Sequence, residues 1–222
     1  MEAQGVWAFV HVMLLVYWLG ADLGVFYTAH QVIKPELSAE TRAALLKVLT
    51  FVDGFPRAVS IFMLPVGLQL AAGLGLSPVI GGWLWTAWIA AVLWFLIAYT
   101  ANTQRATATG QTLAKIDLAI RAVLLVVLAV AAIFSFVGEA PFATNWLALK
   151  VLLFALLLVC GIGIRVTFAP FGPAFAELVA DGSSPETEAV LKRAVGRAVP
   201  FVIALWVLLG AEALIGIAQP YF

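Results

Sequence analysis

Six stretches of about 20 predominantly apolar residues, at 6–27, 55–75, 79–100, 117–138, 145–168 and 197–218, constrain this chain more than any other feature. Each is long enough to cross a hydrocarbon core of about 30 Å as a helix. Lipid offers no partner to an exposed peptide group, so a span must satisfy its own backbone, and none of the six shows the alternation of a barrel strand. The expected fold class is all-α, a polytopic bundle of six transmembrane helices forming one membrane domain over 1–222. With 64% hydrophobic residues, 11% charged residues and a mean hydropathy of +1.08, the chain has too little polar surface for a water-soluble domain of its length. The first span opens close behind Met1 and Glu2, without a cationic leader or a small-residue cleavage site, and reads as a retained helix. Cys160 is the single cysteine, which excludes an intramolecular disulfide, and it reads as a packing residue.

Basic residues sort the connections. Lys34, Arg42, Lys47 and Arg57 lie around the first, Arg105, Lys115 and Arg121 around the third, and Arg165, Lys192, Arg193 and Arg197 around the fifth, whereas the second and fourth carry none. Eleven of the twelve Lys and Arg residues therefore fall on one side. The positive-inside rule makes that side cytoplasmic and turns both termini outward, as expected for a multi-pass membrane protein. The twelfth, Lys150, sits within a span.

The two long connections share a pattern. "SAETRAALLKVL" (38–49) and "SPETEAVLKRAV" (184–195) each open with a serine N-cap, then acidic residues, then basic ones, predicting two helices along the cytoplasmic surface. Span one, surface helix and span two then resemble span five, surface helix and span six, a weak internal repeat. Trp7 and His11 have the spacing of Trp146 and Lys150, and Gly24 and Gly163 each fall thirteen residues later.

Polar residues inside spans are few. On a helix, His11, Leu15, Trp18 and Asp22 share one face. A charge near the bilayer centre costs about 2.5–3.5 kcal/mol on insertion scales, so such groups turn into the bundle, where they pair or work. His11, Lys150 and Glu212 lie at similar depth below the outer ends of their spans and are expected to converge, either as a working cluster or as a Lys150–Glu212 ion pair. Asp22 is expected to pair with Arg57 or Arg165, and His30 to sit at the cytoplasmic headgroup level, solvated or capping a buried site. Trp83, Trp85, Trp88 and Trp94 read as belt and packing residues.

One intramembrane histidine is too few for a zinc site, and three methionines with one cysteine suit copper poorly. Haem differs, because one neutral imidazole is enough for a proximal ligand and a bundle of apolar helices can bury the porphyrin. Gly20 and Gly24 would allow a flat macrocycle, or a helix, to approach span one closely.

"HVMLLVYWLG", a histidine followed seven residues later by tryptophan, resembles the first helix of the bacterial membrane haem-binding protoporphyrinogen oxidase family, and "NWLALKVLLFALLL" resembles its W-L-x-x-K segment. Both also resemble the wider group of CopD-like integral membrane proteins. The resemblance implies haem b bound at His11, with Lys150 as the second required residue, serving as second ligand, propionate partner or acid/base group. Trp18, Gly20, Gly24 and His30 join the expected cofactor-binding set, and Glu212 is expected to tune Lys150 in a catalytic role. The implied activity is an oxidase or dehydrogenase passing electrons between a small or lipophilic substrate and quinone or a redox partner protein. The rival readings are a CopD-type copper or solute transport protein and a non-catalytic membrane subunit. Nucleic-acid binding has no support, since the basic residues sit beside spans and the formal net charge is zero.

Overall fold

A computed structural model describes residues 2–77, 79–138 and 141–220, with Glu2 by its backbone alone. Pro78, Glu139 and Ala140, in the two connections that carry no basic residue, lie outside the described residues. Among the described residues eight helices succeed one another: α1 (Glu2–Val32), α2 (Ala39–Val52), α3 (Gly54–Gly73), α4 (Gly82–Thr103), α5 (Ala108–Phe136), α6 (Asn145–Phe168), α7 (Phe171–Asp181) and α8 (Pro185–Ala218). Among the described residues six segments are long and apolar enough to cross a membrane, and each overlaps one of the expected spans.

The six long helices pack in a ring, α1 against α3, α3 against α4, α4 against α5, α5 against α6, α6 against α8, and α8 back against α1. Its centre is filled by Trp18 of α1, Met63 of α3, Phe154 and Leu157 of α6, and Leu205 and Leu209 of α8. Large apolar side chains such as Trp83, Trp85 and Ile217 point outward and are exposed, as helices facing lipid require. The eleven basic residues gather at one end of the ring, called here the basic end.

The caps behave as the sequence predicts. The Ser38 hydroxyl accepts from the Thr41 N–H, and Ser184 forms a reciprocal capping box with Thr187. Beyond the second cap the chain departs from expectation. Residues 184–195 do not form a separate short helix but the first turns of α8, which runs unbroken through Pro200 to Ala218. Leu191, Ala194, Val195, Ala198 and Val202 are buried at helical spacing, so the same packed stripe carries the helix from the basic end into the bundle. The short helix of this half is instead α7, whose Phe171, Ala174, Phe175 and Leu178 form a complete buried i, i+3, i+4, i+7 stripe. It packs on α8 and on α2.

Candidate functional site

At the end opposite the basic one, α1, α6 and α8 bring His11, Lys150 and Glu212 together. The Lys150 ammonium donates to Glu212 Oε2 at 2.8 Å and to the Glu212 main-chain carbonyl at 2.7 Å, with the two side chains 18% and 13% exposed. Gly216, one turn beyond Glu212, leaves room for this approach, since a Cβ there would stand 3.1 Å from Lys150 Nζ. His11 rests against a second glycine: a Cβ at Gly67 of α3 would lie 3.6 Å from its Cε1. The ammonium also lies within electrostatic reach of the His11 ring.

Two polar atoms of this cluster are buried without a hydrogen-bond partner among the described residues, His11 Nδ1 and Glu212 Oε1. Each such atom left without a partner costs about 1–3 kcal/mol. An imidazole lone pair suits a metal or a proton donor, and the free carboxylate oxygen suits a proton donor.

Asp22 pairs with neither expected arginine. Its Oδ2 accepts from the Trp206 indole N–H of α8 at 2.7 Å. Arg57 is taken by Asp53, one turn away across the α2–α3 junction. Arg165 reaches Asp117 Oδ2 at 2.6 Å and the Ala114 carbonyl at 2.8 Å. Asp117, 3% exposed, also accepts from Arg121 and from the Trp94 indole at 2.8 Å, while the Arg121 guanidinium lies over the Trp94 ring. The sequence marks Asp117 only as a residue at the edge of span four. Helical spacing does place Asp117 and Arg121 one turn apart, a signal that the edge position masks.

The remaining candidates are spread along α1. Trp18 is 4% exposed and stands edge-on to Phe154, part of the ring's core. Gly20 opens onto free space, and Gly24 faces Val52 at ordinary contact distance. His30 lies about 28 Å from His11 along the helix, taking 1.5 Å per residue. Its Nδ1 is 2.9 Å from the Phe26 carbonyl, and its ring leans on the Phe26 ring. Since a carbonyl only accepts, Nδ1 carries a proton, and Nε2 makes no hydrogen bond among the described residues. Trp88 lies between Trp7 and Phe62, its ring tilted against both.

No protein-family model, curated protein or solved structure matches this chain.

Proposed function

We propose that this chain is a haem b-binding redox protein of a bacterial cytoplasmic membrane, with His11 as axial ligand, as its resemblance to the membrane protoporphyrinogen oxidases implies. The observation that carries this reading is His11 Nδ1, a buried imidazole nitrogen with no partner in an apolar bundle. Iron would satisfy it, and a neutral imidazole is an ordinary haem ligand. Lys150 fits two of the three roles open to it. Its hydrogens are directed at Glu212, so the geometry favours an ammonium that holds a propionate or hands a proton to bound substrate over an iron ligand. Bound haem would supply one-electron chemistry. The protein's own part is to orient the imidazole through α1, to hold a proton at Lys150 Nζ with Glu212 as its acceptor, and to exclude water with apolar spans. A lipophilic substrate and quinone are the partners such a site in the bilayer would serve.

In this reading the basic end faces the cytoplasm, both termini face outward, and α2 and α7 lie along the cytoplasmic surface. The helix order long, short, long recurs in α1–α2–α3 and α6–α7–α8, and in each triple a glycine of the third helix faces the polar residue of the first, Gly67 facing His11 and Gly216 facing Lys150. That correspondence favours a second reading, solute transport by two related triples that rock about the polar cluster.

Absorption spectra of the detergent-purified protein, oxidised and dithionite-reduced, separate the two. The expected result is a Soret band with reduced α and β bands in wild type and their loss in His11→Ala. A colourless wild type from cells supplied with haem precursor overturns the haem reading, and uptake into vesicles then tests transport.

A further inference from the structure

His30 borders two cavities. One, of about 320 Å³, opens at the basic end and is lined by His30, Lys34, Glu188 and Lys192. The other, of about 90 Å³, lies between α1, the end of α2, α6 and α8 and is lined by His30, Asp22 and Asp53 among apolar side chains. Asp22, Phe26 and His30 come at intervals of four residues, so they share one face of α1, with Asp22 about 12 Å further into the bundle. The Phe26 ring runs alongside, tilted against His30 and edge-on to Trp206, and the Trp206 indole ends the row on Asp22 Oδ2.

The inner cavity has room for several waters and offers them partners. Asp22 Oδ1, Asp53 Oδ1 and His30 Nε2 make no hydrogen bond among the described residues, and all belong to side chains on its wall. No three acidic, histidine or cysteine side chains among the described residues are close enough to hold one metal ion, so this donor set suits mobile protons on water better than a bound cation. The charges facing the path are few. At the mouth the Glu188 carboxylate is held by Arg42, and Lys34 and Lys192 form no ion pair among the described residues. Inside, Asp53 is paired with Arg57, while α6 and α8 contribute apolar side chains such as Ile164 and Val202 together with the neutral Trp206.

We propose that Asp22 is a proton-binding site inside the bundle, loaded from the basic end through His30. His30 Nε2 takes a proton from water in the mouth, with Nδ1–H kept on the Phe26 carbonyl. It returns that proton to water in the inner cavity, and the water passes one to Asp22 Oδ1. No charge other than the proton moves. The site involves neither His11 nor haem, so it stands or falls independently of the function proposed above.

Infrared spectroscopy of the full-length protein, as purified, in lipid vesicles during a downward pH jump reads the site directly. The expected result is a carboxylic-acid carbonyl band that is absent in Asp22→Asn, a variant that keeps an acceptor for Trp206. Asp22→Glu should retain the band at a shifted frequency, which separates loss of the site from loss of the fold. In His30→Leu the band should rise on the order of 100-fold more slowly, the scale of a positioned proton-transfer group. A band that survives unchanged in Asp22→Asn overturns the site, and an unchanged rate in His30→Leu overturns the route.

Discussion

Lys150 and Glu212 face each other where little solvent competes, so removing either charge strands the other. Breaking one partner of a buried pair costs about 3–5 kcal/mol, whereas replacing both with apolar side chains of similar volume is often neutral or better. Glu212→Gln is therefore expected to lower stability by about that amount, and Lys150→Met combined with Glu212→Met to recover most of it. Unfolding in SDS followed by circular dichroism measures both, and a double variant as unstable as the single one would argue that the pair does more than balance charge. At this scale the sequence reveals which residues are polar and how deep they lie, enough to bring His11, Lys150 and Glu212 to one end. It does not reveal rotation about a helix axis. Asp22 therefore meets an indole 184 positions away instead of an arginine, and Trp94, whose sequence context suggests packing alone, is a hydrogen-bond donor to Asp117.

Single atoms also decide how the elements meet. Arg42 of α2 is 1% exposed, donates to the Val32 carbonyl at the end of α1, and grips Glu188 of α8 through both terminal nitrogens. Arg42→Met should destabilise the protein by about 3–5 kcal/mol, because Glu188 loses its cation and the α1 carbonyl loses its donor. Gly163 of α6 lets α8 approach so closely that a Cβ would stand 2.5 Å from the Phe201 ring. Gly163→Ala is expected to cost about 1–3 kcal/mol by overpacking, whereas Gly20→Ala, which faces open space, should leave stability unchanged. Thermal unfolding of the two variants side by side checks the contrast. Helices with a complete local pattern are legible in the sequence: six apolar spans, and α2 with its Ser38 cap. The stripe of α7 is present too, but Pro170, Gly172 and Pro173 punctuate its start, so it reads as connection after the fifth span. The reverse happens at residues 184–195, where a well-capped start hides the fact that nothing afterwards stops the helix.

Across the whole molecule, the basic end and the opposite end make a topological prediction. Ile80→Cys, exposed between α3 and α4, should react with a membrane-impermeant maleimide in intact cells, and Ser183→Cys only after the membrane is opened. The native Cys160 is buried and should stay silent in both. Labelling of Ser183→Cys in intact cells would invert the assignment of both ends. The ring itself is not readable from the sequence, because closure depends on α1 meeting α8, a contact between the two ends of the chain. That closure also sets a timetable during synthesis. At about 5–20 residues per second, the 184 residues separating Asp22 from Trp206 take roughly ten to forty seconds to make. For that interval the first span waits in the bilayer with a carboxyl that has no indole to bind, and Arg42 waits for Glu188 over the 146 residues between them. A nascent chain that stalls before its last helix carries its polar groups toward lipid, a visible mark of incompleteness for membrane proteases to act on.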